Sequence, residues 1–444
     1  MGKIRFYITL LIARLIYLAI KLLNKSSGTS FVGMVSLKLC PKFLTYCKKY
    51  IKKSTVAVTG TNGKTTTSGM LAHIFGYNNN VIHNAKGANM LTGVANMFAL
   101  KIKPFKNFDY AVIESDEAYL RKLYDFYKSD YLIVTNLFRD QLDRYGELTT
   151  TANYIKEAIE KNSDLTLILN ADDPIVSRFG VDKKAKYFGF EHVEFCSDTH
   201  GSTSDEPAEI FNCSCGNPLS YSISFLAQEG HYQCKHCLYS RPEPDYKGFV
   251  KVHDSFSELT VEFDGNKYDF KINQIGLYNA YNALGAIACA FENGFNYKTI
   301  RKAVSTYKSV FGRAERRIIN GHDVLIQLIK NPTGANEVLK TVDLEANIVI
   351  AINDNFGDGR DISWLWDSDF EQLKGVKKLL ITSGSRAYDM ALRLKYAGIP
   401  QEKIIVEEDI KKAIELAIKP EDDTDRVTIL PSYTALLKIN KIKF

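Results

Sequence analysis

Two glycines, a lysine and neighbouring threonines are the residue types that hold a polyphosphate, and one stretch of this chain has them in the right order. From Ser54 it reads Ser-Thr-Val-Ala-Val-Thr-Gly-Thr-Asn-Gly-Lys-Thr-Thr-Thr, ending at Thr67. Val56 to Val58 read as a buried strand. Gly60 and Gly63 permit a close backbone approach. Lys64, Thr65 and Thr66 then open a helix expected over Thr66–Phe75. In such a turn the loop N–H groups and the helix N-terminus face the anion, which makes Gly60, Thr61, Asn62, Gly63, Lys64, Thr65 and Thr66 the candidate ATP-binding residues. Lys64 reaches the outer phosphates, and the Thr65 hydroxyl is placed to ligate Mg²⁺. Val58 stands where the longer phosphate-loop pattern has a third glycine, so the loop is a short form. The bland alternative is a structural turn. A strand before and a helix after favour ATP binding.

The elements around this loop alternate. Apolar runs at Thr55–Thr59, Val81–His83, Tyr110–Ile113, Tyr131–Thr135 and Thr166–Leu169 are separated by helical stretches such as Tyr154–Lys161. That pattern predicts a parallel sheet covered by helices, with ligands at the carboxyl ends of the strands. Glu114 ends one run and is a candidate Mg²⁺ ligand beside the phosphates. Other polar clusters at strand ends are Thr135–Gly146, Asn170–Pro174 and Ile82–Met90, where a lone His83 reads as structural. Residues 316–444 alternate again, with strands near 323–328, 348–352, 378–382, 403–406 and 426–430, and predict a smaller α/β domain.

Between the two lies a polar stretch, 205–245, holding Cys213-x-Cys215 and Cys234-x₂-Cys237. Two close pairs about 20 residues apart form a zinc-ribbon pattern, with one residue fewer than usual in the first pair. Four thiolates would close a tetrahedron around a structural Zn²⁺, with His231 and His236 as alternative ligands. They would staple an insert too small to bury a core.

The chain has 444 residues, 8 cysteines and a net charge of +6. The cysteines are too sparse for a secreted disulfide scaffold, and with ATP use they favour the cytoplasm. The mild positive charge suits an anionic substrate or membrane surface and is not a nucleic-acid signature. Residues 1–25 are apolar with scattered basic residues. Arg14 falls mid-span, which disfavours a transmembrane helix, and the segment lacks a good cleavage site for a signal peptide. An amphipathic helix packed on the protein or lying on the membrane fits best, leaving the chain peripheral at the inner face of the membrane.

The short loop Gly-Thr-Asn-Gly-Lys-Thr-Thr resembles that of the Mur ligases and folylpolyglutamate synthases, which activate a carboxylate as an acyl phosphate for attack by an amine. Gly276-Leu-Tyr-Asn-Ala-Tyr-Asn-Ala-Leu-Gly-Ala resembles the Mur adenine-side helix, where Asn282 would touch the base. Phe311-Gly-Arg-Ala-Glu resembles the hinge before the last domain, where Arg313 would approach the nucleotide. The cysteine insert, Leu328-Ile-Lys-Asn-Pro-Thr-Gly and Asp358-Gly-Arg-Asp361-x-Ser-Trp are similar to the MurT family, the ligase-like subunits of lipid II isoglutaminyl synthase. No clear segment for the carbamylated lysine of amino-acid-adding ligases is present.

The resemblance implies three regions. They are an N-terminal amphipathic helical segment (1–53), a Mur-ligase-like ATP-binding domain carrying the insert (54–312) and a Rossmann-like C-terminal domain that contacts the partner (313–444). It implies ATP-dependent amidation of the D-glutamate α-carboxylate of lipid II, with ammonia from a GatD-like glutaminase in a heterodimer. Asp361 would complete the partner's Cys-His-Asp triad, with Asp354 and Asp358 as rivals on the same loop. The alternatives are a stand-alone amino-acid ligase and a non-catalytic nucleotide-binding module.

Overall fold

The computed structural model describes residues 2–22, 30–85, 88–103, 106–138, 148–196, 211–308, 313–418 and 426–442. Residues 139–146 of the Thr135–Gly146 cluster, Phe311 and Gly312 lie outside them, as does the side chain of Arg313.

Three helices come first: α1 (Gly2–Leu22), α2 (Phe31–Leu39) and α3 (Phe43–Cys47). Phe6 anchors α1. It is fully buried, with ring centroids 5.2 Å from Phe43, 5.6 Å from Tyr46 and 6.1 Å from Tyr50. The helix packs through Phe6, Thr9, Leu10 and Ala13, yet its outer side is apolar as well. It is therefore not a helix with one apolar and one polar face. Among the described residues no helix is long and apolar enough to cross a membrane.

The central unit then runs β1 (Ile51–Thr59), α4 (Lys64–Phe75), β2 (Val81–His83), α5 (Leu91–Lys101), β3 (Phe108–Glu114), α6 (Glu117–Leu123), β4 (Tyr131–Val134), α7 (Leu148–Glu160), β5 (Thr166–Asn170) and β6 (Ala185–Phe195). After the cysteine insert, with its hairpin β7 (Ser220–Leu226) and β8 (Glu229–Gln233), come β9 (Tyr246–Val252), β10 (Ser257–Phe263), β11 (Asn266–Ile272), α8 (Leu277–Glu292) and α9 (Tyr297–Thr306). The sheet order is β11-β10-β9-β6-β5-β4-β1-β3-β2. Every neighbouring pair from β9 to β2 is parallel, whereas β9–β10 and β10–β11 are antiparallel hairpins. The parallel expectation therefore holds for the part that carries the loop.

β1 lies between β4 and β3, third from the β2 edge, and from Ser54 onward is buried on both faces, as suits a parallel strand. Val56 and Val58 point into a core shared with Ile74, Phe75 and Leu284, while Ala57 points into the opposite core with Phe98, Ile113 and Leu132. This alternation is the two-residue period of a strand. α4 begins at Lys64, two residues earlier than expected, because Gly63 already provides the left-handed turn (φ 81°) that starts it.

The second sheet is built from β12 (Arg313–Ile319), β13 (His322–Gln327), β14 (Asn347–Ala351), β15 (Leu380–Ser383), β16 (Ile404–Val406) and β17 (Arg426–Pro431), in the order β12-β13-β17-β14-β15-β16. Only β12–β13 is antiparallel. Helices α10 (Pro332–Leu339), α11 (Ala387–Tyr396), α12 (Ile410–Ala417) and α13 (Tyr433–Ile439) accompany it. Asn331 and Asp409 cap α10 and α12 by accepting from Gly334 N and Lys412 N, the usual way to satisfy the first free amides of a helix.

Phe75 joins α4 to the sheet and to the turn before α9. It stacks on Phe295 at 4.8 Å and meets Tyr110 at 4.5 Å. Phe75→Ala is expected to cost about 3–5 kcal/mol and to lower the thermal unfolding midpoint measured by circular dichroism.

Candidate active site

The loop between β1 and α4 has no room to spare. A Cβ on Gly60 would collide with Thr135 Oγ1, and one on Gly63 with the Asn282 side chain, and both glycines have positive φ, 126° and 81°. Three strand ends converge there. β3 pairs Glu114 with Val58, and β4 pairs Val134 with Thr59. The residues after β4 then lace the loop. Thr61 N donates to Asn136 O (2.9 Å), Asn62 N to Asn136 Oδ1 (2.8 Å) and Thr135 Oγ1 to Asn62 O (2.7 Å).

Lys64 is buried at the start of α4. Its Nζ donates to Gly60 O, to Thr61 O (3.1 Å) and to Glu117 Oε1 (2.8 Å). Burial pushes the Glu117 carboxyl up, and the facing Lys64 ammonium offsets only part of that rise. Thr65 and Thr66 are buried beside it. Glu114 is buried at the end of β3 and accepts from Asn89 Nδ2 at 3.4 Å. The expectation that the Thr61 and Asn62 amides face the anion is not met, because both donate to Asn136; a carboxylate and a helix-start threonine at the start of α4 are what suit a magnesium polyphosphate.

Asn282 faces the loop from α8. Thr67 Oγ1 donates to its Oδ1 at 3.2 Å. A cleft opens here, lined from one side by Asn62, Gly63, Thr66, Tyr278 and Asn282 and from the other by Ala314, Gln327, Leu328, Thr333 and Glu337. The second sheet also touches the loop directly. Asn331 Nδ2 donates to Asn62 Oδ1 at 3.2 Å, and Lys330 Nζ donates to Thr61 O at 3.3 Å. Ala314, at the junction, has φ 55°, and the β12–β13 register shifts there.

Some of these residues had no role in the sequence reading. Glu117, Thr135, Asn136 and Lys330 belong to the site because strand ends meet in space. Thr135-Asn136 directly after an apolar run was the available signal. Burial holds the His83 imidazole down at about 4, and its Nε2 lies 3.3 Å from Ser68 Oγ.

The four cysteines 213, 215, 234 and 237 come together, with their sulfurs all within 4.8 Å of one another. Cys213–Cys237 is 3.4 Å and Cys215–Cys234 is 3.6 Å, far beyond a disulfide bond. They are close to the roughly 3.8 Å edge of a tetrahedron with metal–sulfur bonds of about 2.3 Å. The single residue between Cys213 and Cys215 does not prevent closure. His231 and His236 are outside the cluster, and His231 Nε2 instead meets Phe190 O at 2.8 Å. The insert is fixed to the turn after β5. Gly230 N donates to Asp172 O (3.0 Å), Tyr232 OH to Ala171 O (3.0 Å) and Gln228 Nε2 to Leu137 O (2.7 Å).

The three aspartates near residue 360 separate by their partners. Asp358 is buried and accepts from Thr434 N at 2.7 Å and from Thr434 Oγ1. Asp354 accepts from Ser385 Oγ (2.8 Å) and pairs with Arg386 (2.8 Å). Asp361 is partly exposed and accepts from Ser363 N at 2.8 Å.

The fold and loop together define a phosphate-loop ligase of the Mur type. Residues 58–212 match the Mur ligase middle domain, and residues 328–436 match the MurT ligase C-terminal region. Over 427 residues the chain is 34% identical to the lipid II isoglutaminyl synthase (glutamine-hydrolyzing) subunit MurT of Streptococcus pneumoniae, covering 94% of this chain and 92% of that one. The corresponding subunit of Staphylococcus aureus strain COL is 36% identical over 415 residues, covering 92% and 91%. A pseudomurein peptide ligase type C from Methanothermus fervidus has the same fold, with a TM-score of 0.68 at 24% identity, covering 89% of this chain and 80% of that one. The chain belongs to the MurT family of ligase subunits of lipid II isoglutaminyl synthase.

Gly63→Ala is expected to weaken nucleotide binding at least about tenfold in calorimetric titration, since it adds both a collision and positive-φ strain. Gly265→Asn, in the open β10–β11 turn (φ 71°), is expected to leave binding unchanged.

Proposed function

We propose that this chain amidates the α-carboxylate of D-glutamate in the stem peptide of lipid II, giving D-isoglutamine for peptidoglycan synthesis. ATP supplies the phosphoryl group, and a GatD-like glutaminase subunit supplies ammonia. The observation that carries this reading is the convergence of Gly60–Thr66, Glu114 and the Lys330–Asn331 edge of the second sheet on one cleft, in a MurT-family chain. We assign nucleotide binding to 54–312 and partner contact to 313–444.

The start of α4 and Lys64 neutralise charge as a substrate carboxylate oxygen attacks the γ-phosphorus and ADP leaves. Mg²⁺, held by Thr65 and Glu114, would supply further charge neutralisation. Ammonia then attacks the acyl carbon, and phosphate leaves. Asn282 and Arg313 serve the nucleotide. Lys330 and Asn331 bring the second sheet onto the loop, which excludes water from the activated carboxyl.

Asp361 orients the partner's histidine. Asp358 is buried against Thr434 and Asp354 pairs with Arg386, while Asp361, which accepts from Ser363 N, is partly exposed. Its loop is braced by the buried Arg393, which donates to Leu365 O (2.9 Å) and Ser368 O (2.7 Å). Beside it, Tyr388, Leu392 and Tyr396 are exposed in a row on α11, and Trp366 meets Tyr396 at 5.6 Å. An exposed aromatic patch of this kind suits a subunit interface. The enzyme would work in the cytoplasm, at the inner face of the membrane that carries its substrate. The cysteine cluster would hold one structural Zn²⁺, with no open position for catalysis.

The test is an amidation assay with lipid II, ATP, Mg²⁺ and glutamine, with and without a GatD-like glutaminase. Product is expected only with the partner, and its absence there counts against the proposal. Lys64→Ala should abolish ATP turnover. Asp361→Asn should abolish glutamine-driven amidation while leaving ammonium-driven amidation largely intact. Loss of both would make Asp361 structural.

Metal analysis is expected to find one zinc per chain. Cys234→Ser, at a fully buried ligand, should lose the zinc and lower the unfolding midpoint.

A further inference from the structure

The outer side of α1 carries Ile4, Ile8, Leu11, Leu15, Leu18 and Leu22, each more than half exposed. Their spacing of 4-3-4-3-4 residues places them in one row along the helix, roughly 27 Å long at 1.5 Å per residue. This row lies opposite the packed side formed by Phe6, Thr9, Leu10 and Ala13. Offset by one residue along the same helix runs a second row, Lys3, Tyr7, Arg14, Tyr17 and Lys21, all amphipathic side chains with long stems or rings and polar tips. α2 adds exposed Phe31 and Met34 next to it.

The charge distribution points the same way. Of the 57 Lys and Arg residues, 16 fall within the first 108 positions, and none of the 51 Asp and Glu residues does. The first acidic side chain is Asp109, and the remaining 336 residues are net acidic. An uncovered leucine and isoleucine row, bordered by basic and tyrosine side chains and set in a region without a single carboxylate side chain, complements an anionic lipid surface. A second copy of the chain would fit it poorly, because a symmetric contact would bring two rows of Lys3, Arg14 and Lys21 together.

We propose that α1 lies in the interfacial plane of an anionic bilayer, with the row from Ile4 to Leu22 inserted among the acyl chains. Lys3 and Lys21 would reach the headgroups. The acidic remainder of the protein would face away from the membrane. This rests on the reading that the chain works at a membrane face, and it specifies the element, the side chains and the lipid charge responsible.

The experiment is cosedimentation of the full-length chain with phosphatidylcholine vesicles that contain or lack phosphatidylglycerol. Binding is expected to be at least about tenfold stronger with phosphatidylglycerol and to fall in about 0.5 M salt. The exposed-site variant Leu11→Ser/Leu15→Ser/Leu18→Ser should lose at least about tenfold in binding with an unchanged unfolding midpoint. Lys3→Gln/Lys21→Gln should weaken binding to the anionic vesicles alone. With the glutaminase present, the triple variant should amidate a lipid-free stem-peptide substrate as well as the unaltered chain does. Absence of amidation by both would sink the proposed function while leaving the vesicle result standing. Vesicle binding that is absent, or equal in the variants, overturns the proposal. A solution dimer in ultracentrifugation that the triple variant dissolves would assign the row to a second copy and also overturn it.

Discussion

The structure depends on how closely backbone can approach backbone between β1 and α4. Around Gly60 and Gly63 the neighbouring side chains of Thr135 and Asn282 occupy the space where a Cβ would stand. That closeness sets the start of α4 against the ends of β3 and β4 and leaves the Lys64 ammonium folded back on Gly60 O, Thr61 O and Glu117. Thr135 and Asn136, directly after β4, bond the loop backbone and hold the turn in this conformation. Buried amides must find partners, and here the partners belong to the adjacent strand rather than to the loop.

A second constraint holds the periphery to this centre. Asp172, fully buried after β5, accepts from Arg241 Nε (2.6 Å), Tyr281 OH (2.8 Å) and Phe190 N (2.8 Å). One carboxylate thus ties the insert, α8 and β6 together. Such a pair stabilises little by its mere presence, but removing one partner strands a buried charge. Beside it, burial pushes Asp173 up to about 6, although three backbone amides bond it. The cysteine insert can therefore be small. Its cluster closes its own end, and the Asn170–Pro174 turn fixes the other.

The second sheet serves two directions. One edge meets the loop through Lys330 and Asn331, and another surface presents Asp361 with exposed aromatic side chains. The positive-φ Ala314 at its root is the kind of terminal position that absorbs a change in domain angle.

Much of this was legible in the chain, because local signals carry it. The apolar run, two glycines and Lys-Thr-Thr mark a phosphate turn whatever surrounds them, and the cysteine spacing marks a sulfur tetrahedron. Strand and helix alternation marked both sheets, although the antiparallel β9–β11 extension and the two apolar sides of α1 did not follow from it. How buried each aspartate near residue 360 is, and what it bonds, is not a local property. Asp354, Asp358 and Asp361 are alike in sequence, and only the positions of Arg386 and Thr434, far along the chain, distinguish them. The same holds for Glu117 against Lys64 and Asn136 against Asn62. The identity of the chemical groups was written in the order of residues. Their division into those that act and those that brace was decided by long-range packing, because a side chain's role depends on which partner reaches it first.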